Sequence, residues 1–283
     1  MDAIQTRRLT LGHSPDSDDA FMFYGLASGK IDTDGLTYEH VLKDIQTLNE
    51  WAKEGRLDTT AISVHAYAYV ADRYSILNHG ASMGERDYGP LLVSRFEVTN
   101  PQRLRGARIA IPGLMTSAYL ALRLAIGDFV AEVMPFDAIM EAVAEGKIDY
   151  GLLIHEGQLT YAALGLHSVL NLGAWWHAET GLPLPLGVNA IRRSLPDDVK
   201  RAASRHLRQS IEYGLAHRDE ALAWALRYAR GMERATADTF VGMYVNRRTA
   251  DLGPEGRRAV AQFLQRGAAA GIVPEVSTPD FVE

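Results

Sequence analysis

Gly151-Leu-Leu-Ile-His155-Glu156 is an apolar run that ends in a histidine and a glutamate. An imidazole changes charge near neutral pH, so His155 has the right chemistry for a general base. The same pattern also describes a core histidine satisfied by a backbone carbonyl. Two other groups carry polar chemistry. His13-Ser-Pro-Asp16-Ser-Asp18-Asp19 precedes an apolar run. Its carboxylates can cap a helix and answer its dipole, or they can face a ligand. Their spacing lacks the glycine and distal glutamate of a calcium loop. Pro112-Gly-Leu-Met-Thr116-Ser117 also precedes a helical run. Free backbone N–H groups and two hydroxyls there make a ready anion site, and capping by Thr116 or Ser117 is compatible with it. No Walker lysine and no Gly-x-Gly-x-x-Gly is present, so this is not a nucleotide-phosphate loop.

Elements that could position these groups follow from periodicity. Leu9–Gly12 reads as a first strand, with a helix over 20–27 after the acidic loop. Leu36–Leu42 alternates as a second strand. Ile45, Leu48 and Trp51 (or Ala52) share one face of a helix. That helix leads through Glu54-Gly55-Arg56-Leu57-Asp58 into a strand over 60–64 ending near His65. The unit has an echo: Val143-Ala-Glu-Gly-Lys-Ile-Asp149 leads into Tyr150-Gly-Leu-Leu-Ile-His155. Each reads as helix, glycine stop, short turn and strand. The repetition points to two similar α/β domains, each offering a strand end, where open sheets bind ligands. Further strands are expected at 88–94, 108–111, 130–134, 168–172 and 188–192, with a polar linker at 97–105. Helices are expected at 118–126 and 135–143. Trp175 and Trp176 fall in a Gly/Pro-rich stretch over 173–187, read as a loop that either walls a ligand or packs under a hinge. The C-terminal third reads as amphipathic scaffold helices at 197–216, 217–231, 235–244 and 254–270.

The composition is that of an ordinary globular chain, 47% hydrophobic and 23% charged. The net charge of −6 with both signs interspersed disfavours nucleic acid as a partner. The absence of cysteine excludes disulfides, thiolate catalysis and cysteine-held metals. The first residues hold no apolar core of secretory length, and no window is long enough to span a membrane. The expectation is therefore a cytoplasmic protein.

Several strings together resemble one family. They are Ser14-Pro-x-x-x-Asp19-x-Phe, Thr47-Leu-Asn-x-Trp-Ala-x-Glu-Gly-Arg-Leu57, Gly89-Pro-Leu-Leu-Val93 and Ala110-Ile-Pro-Gly-x-x-Thr-Ser-Ala-Tyr119. Gly151-Leu-Leu-Ile-His-Glu156, Thr160-Tyr161 and Leu172-Gly-Ala-Trp-Trp-x-x-x-Thr-Gly-Leu-Pro-Leu-Pro-Leu-Gly187 complete the set. The chain resembles the 1,4-dihydroxy-6-naphthoate synthases of the futalosine route to menaquinone over nearly its whole length. The resemblance implies an α/β fold of the type II periplasmic-binding-protein kind, with the site in a cleft between domains 1–93 plus 188–283 and 94–187. It implies a lyase that converts cyclic dehypoxanthinylfutalosine to the dihydroxynaphthoate without a redox or metal cofactor. A small-molecule carboxylate substrate is expected, and the chain is expected to be a monomer or a homodimer.

By that resemblance His155 is the proton acceptor in a retro-aldol-like cleavage. The family's substrate-contacting segments fall on Ala61, Ile62 and Ser63 and on Thr116 and Ser117, with Thr116 and Ser117 expected on the carboxylate and Ser63 on a ring or sugar oxygen. Ser14 and Asp19, in the loop after the first strand, are expected to join the substrate-binding set. Glu156 either orients a neighbour or is solvated. The chain departs from the pattern at Ala61, where family members carry lysine, and at Gly157-Gln158-Leu159, where they often have Ser-Arg-Phe. The Asp16-Ser-Asp-Asp loop and His65 differ as well. Two other classes fit the same framework: a chorismate dehydratase-like enzyme, and a non-catalytic solute-binding protein.

Overall fold

The structure, a computed structural model, describes residues 7–229 and 231–282. Residues 1–6, on which part of the leaderless reading rests, lie outside this range, as does Arg230 in the helix expected over 217–231. In chain order the strands are β1 Arg7–His13, β2 Leu36–Leu42, β3 Thr59–Ser63, β4 Tyr74–Leu77, β5 Ser82–Gly84 and β6 Leu91–Ser94. They continue as β7 Arg108–Ile111, β8 Val130–Val133, β9 Tyr150–Leu153, β10 His167–Asn171, β11 Leu184–Arg192 and β12 Phe281–Val282. The helices are α1 Ser17–Met22, α2 Tyr24–Ala27, α3 Ile45–Glu54, α4 Val64–Tyr67, α5 Ser117–Ile126, α6 Phe136–Ala144 and α7 Gly157–Thr160. After them come α8 Leu172–Thr180, α9 Asp197–Ala216, α10 Arg218–Ala225, α11 Arg234–Tyr244, α12 Arg247–Ala250 and α13 Gly253–Ala269.

The strands form two sheets. One has seven strands in the order β12-β4-β11-β3-β1-β2, with β5 also on β11; the other has five, in the order β10-β6-β9-β7-β8. The repeated helix–glycine–strand unit explains their likeness. In the first unit Asp44 caps α3 by accepting from the Thr47 N–H, and Gly55 ends it at φ 67°. In the second, Gly146 follows α6 at φ 77°. The strands that follow, β3 and β9, each have one parallel partner (β1 or β7) and one antiparallel partner (β11 or β6). The antiparallel partners are exchanged: the chain crosses to the five-stranded sheet between β5 and β6 and returns between β10 and β11. Buried Ile62 and Val188 of one sheet and Ile109 and Leu152 of the other belong to one continuous core, together with Leu120 and Leu122 of α5.

Several elements differ from expectation. The Trp-rich stretch is not a loop: Asn171 caps α8 through the Ala174 N–H, and Gly181 ends the helix in the left-handed region. Trp176 is fully buried edge-on against Phe263, at 5.3 Å between ring centroids, and its indole N–H donates to the Pro183 carbonyl. The first helix begins at Ser17, because Asp16 accepts the Asp19 N–H, and it breaks at Phe23 into α1 and α2. The residues before β6 supply β4 and β5, short strands that both pair with β11, β4 also taking β12 on its other side. Such pairing leaves no periodic signature over three or four residues.

Candidate functional site

Strand and helix ends from both sheets converge on one pocket. The loop after β1 brings Ser14, Asp16, Asp18 and Asp19, and β3 brings Ala61 and Ser63. The start of α5 brings Thr116, Ser117 and Ala118, and the end of β9 brings Ile154 and His155. Leu186–Asn189 of β11, Gln158 of α7, and Phe240 and Tyr244 of α11 close the walls. The space is about 730 Å³, counting solvent at the mouth, within the usual range for small-ligand pockets. Among the described residues, no lysine or arginine lines it.

His155 has φ +53°, one of two non-glycine residues among those described with positive φ. That conformation costs on the order of 1 kcal/mol for a residue with a Cβ. It turns the chain out of β9 and sets the ring against Phe136, at 4.8 Å between centroids. The imidazole Nδ1 lies 3.3 Å from Asp16 Oδ2, while Asp16 Oδ1 accepts the Asp19 N–H. Both oxygens of Asp16 therefore have fixed partners, one holding a helix start and the other a histidine.

The acidic loop is buried, and its electrostatics follow from that. Asp16 is pushed up to about 8, first by burial and then by the charge of Asp19, with half-buried Glu156 adding to it. Asp19 is also raised to about 8, by burial and then by Asp18. Asp18 is raised well above the ordinary carboxylate range, by burial first and then by Asp16, with which it shares a hydrogen bond. Uncompensated carboxylates out of water hold protons for these two reasons. Asp16, Asp18 and His155 are the group among the described residues that brings three potential metal-ligating atoms within 4.8 Å. In this structure those side chains interact with one another.

The residues expected on the carboxylate behave differently. Thr116 Oγ1 accepts the Tyr119 N–H as the cap of α5 and donates to the Gly113 carbonyl. Ser117 Oγ accepts the His65 N–H and donates to the Leu186 carbonyl. Both hydroxyls are thus engaged within the chain. The anion-binding capacity of this end lies in the amides of Ser117 and Ala118, which have no acceptor inside the helix. Ser63 Oγ accepts from the Asn49 side chain. Ala61 and Ser63 face the pocket, whereas Ile62 alternates to the opposite face and is fully buried in the core. His65, the histidine near the strand end of the first unit, is stacked on Tyr119 and bonded to the Thr116 carbonyl. Burial lowers it to about 4, and it does not line the pocket.

Ser14, Asp19, Ala61, Ser63, Thr116, Ser117 and His155 are therefore brought together, and Ile62 is not. Asp18 of the acidic loop joins them, one of the carboxylates read as either capping a helix or facing a ligand, and Gln158, Asn189 and Tyr244 join without having been singled out as site residues. Gln158 stood at a departure from the family pattern, which was a usable signal. Tyr244 had none, because the C-terminal helices read as scaffold.

The model of a menaquinone-biosynthesis family matches residues 9–269. A curated relative from Thermus thermophilus, named 1,4-dihydroxy-6-naphtoate synthase, is 42% identical over 97% of this chain and 99% of its own length. One of the same name from Streptomyces coelicolor is 36% identical over 96% of each. A crystal structure of a protein from Archaeoglobus fulgidus superposes with a TM-score of 0.90 at 45% identity, covering 94% of this chain and 98% of that one. The alkanesulfonate-binding protein from Xanthomonas axonopodis pv. citri superposes at 0.73 with 12% identity, covering 96% of each chain, and this likeness bears on the fold alone. The fold is thus of the type II periplasmic-binding-protein kind, and the chain belongs to the menaquinone-biosynthesis family that includes the 1,4-dihydroxy-6-naphthoate synthases.

Proposed function

We propose that this chain cleaves cyclic dehypoxanthinylfutalosine to 1,4-dihydroxy-6-naphthoate, with His155 as general base. The two sheets would be the cores of two lobes that exchange chain between residues 84 and 91 and between 171 and 184, near the expected boundaries at 93 and 188, with the pocket between them. The observation that carries the reading is His155 itself. It is in the left-handed region at the end of β9, faces the pocket, and has Nδ1 beside Asp16. A proton on Nδ1 directed at Asp16 sets the tautomer in which Nε2 carries the lone pair.

In the proposed step Nε2 takes the proton of a ligand hydroxyl. The alkoxide becomes a carbonyl as the adjacent carbon–carbon bond breaks. The released electron pair enters the bicyclic ring, which is protonated and tautomerises to the aromatic diol. The ligand carboxylate rests on the Ser117 and Ala118 amides at the start of α5. With alanine at position 61, no cation is available from β3, and the helix terminus supplies the positive potential.

The test is incubation of purified protein with cyclic dehypoxanthinylfutalosine and no added cofactor, with product identified by mass spectrometry. Dihydroxynaphthoate from wild type is expected, and at least about 100-fold less from His155→Ala, the usual scale for removing a general base. Near wild-type turnover by the variant would sink the base assignment. A product with its carbon skeleton intact would identify a dehydratase instead.

A further inference from the structure

We propose that Asp18 binds a hydroxyl of the ligand beside His155, so that the pocket selects a polyhydroxylated carboxylate over its deoxy counterpart. The inference rests on the reading of this pocket as the ligand site. Asp18 is only 7% exposed and lines the pocket, and its Oδ1 has no hydrogen-bond partner. A buried acceptor left unsatisfied costs about 1–3 kcal/mol.

Three nearby donors are committed elsewhere. The Tyr244 hydroxyl donates to Gln158 Oε1 at 2.7 Å, and the Ser14 N–H donates to Asp19 Oδ2 at 2.7 Å. The Asp19 N–H is taken by Asp16. Among the described residues no lysine or arginine lines the walls, and a ligand hydroxyl supplies the missing donor.

The chemistry of the surroundings restricts that donor. A second ionised carboxylate of the ligand carries no hydrogen to donate to Asp18 Oδ1 and would bring a further negative charge into the loop. A hydroxyl donates to Asp18 Oδ1 without adding charge to a buried acidic loop. It also leaves the anionic end of the ligand to the start of α5. Polar atoms of Asp18, Asp16 and His155 lie within 4.8 Å of one another. The hydroxyl on Asp18 therefore sits next to the one facing His155, which calls for hydroxyls on neighbouring carbons.

Titration calorimetry with quinate and with cyclohexanecarboxylate tests this. The two share a ring and a carboxylate and differ in hydroxyls. Wild type should prefer quinate by at least about tenfold, or about 1.4 kcal/mol. Asp18→Leu, close in shape but without the acceptor, should bind the two within about twofold, and Asp18→Asn should keep most of the preference. Circular dichroism verifies folding, and Asp18→Ala replaces the leucine variant if that one does not fold. Leu114→Ala, at an exposed position, is the control. An unchanged preference in Asp18→Leu, or none in wild type, would overturn the proposal. So would micromolar binding of Mg2+, Mn2+ or Zn2+ alone that vanishes in Asp18→Leu, since the free oxygen would then belong to a cation. Absence of naphthoate formation with the quinate preference intact would strike the lyase reading and leave Asp18 standing.

Discussion

Asp16 Oδ2 and His155 Nδ1 lie 3.3 Å apart, and the two residues follow strands of different sheets. Asp16 comes after β1 and His155 after β9. The contact spans the pocket between the sheets, so the orientation of the proposed base depends on how they meet. Asp16→Asn should separate this role from capping. Asparagine caps a helix as well as aspartate does, so the melting temperature at pH 7 should stay within a few degrees. The Oδ2 atom that faces His155 Nδ1 is at risk of exchange for an amide N–H that cannot accept, and kcat should fall by about 100-fold with a changed pH profile. Steady-state kinetics beside thermal melts will read both.

Stability should fall as pH rises from about 6.5 toward 8. Folded Asp16 and Asp19 hold their protons to about 8, raised first by burial, while unfolded carboxylates release theirs near 4. Across that interval the native state binds more protons than the unfolded one, so raising the pH favours unfolding. Buried His13 and His65, lowered to about 3 and about 4 chiefly by burial, act in the opposite direction. They stay neutral in the fold while unfolded imidazoles protonate below about 6.5, so their contribution is lost on acidification. Denaturation midpoints from pH 4 to 9 should pass through a maximum, and Asp18→Asn should flatten the alkaline side.

Trp176→Ala should destabilise the fold by about 3–5 kcal/mol, the usual cost of emptying a large aromatic site. The indole is fully buried against Phe263. Binding of ligand by the fraction that remains folded should be near normal, because neither tryptophan lines the pocket. Urea denaturation followed by titration at low temperature measures both quantities.

Gly173→Ala should be poorly tolerated. A Cβ there would stand 2.2 Å from the Tyr88 carbonyl oxygen and 2.5 Å from that of Glu85, both backbone atoms. Relief requires moving the segment that leads into β6, at a cost of about 3 kcal/mol or more. A melting temperature within two degrees of wild type would refute this.

Ser117→Ala should weaken the junction of the sheets more than the anion site. Its hydroxyl links the His65 N–H to the Leu186 carbonyl, so a loss of about 1–2 kcal/mol is expected. Cyclohexanecarboxylate affinity should change less than threefold, because the amides at the start of α5 remain. A tenfold loss of affinity with unchanged stability would place the hydroxyl on the ligand instead.

Local chemistry written along the chain determined much of this protein. Asp44 and Gly55 bound α3, Thr116 caps α5, and the repeated helix–glycine–strand unit foretold two related sheets. Capping and period are short-range effects, legible within a few residues. The strings around Ser14, Thr116 and His155 also marked segments that do reach the pocket. Tertiary structure decided which sheet each strand joins, so β6 and β11 change places in a way no periodicity announces. It decided that Trp176 belongs to the core and Tyr244 to the pocket, because a stripe of apolar residues does not say what it will pack against. It also parted His65 from His155, two histidines near the strand ends of a repeat. One is sealed against Tyr119 and the Thr116 carbonyl, and the other is turned by a positive φ toward Asp16. Burial and the charges of neighbours distant in sequence set these differences, and only the folded chain brings those neighbours together.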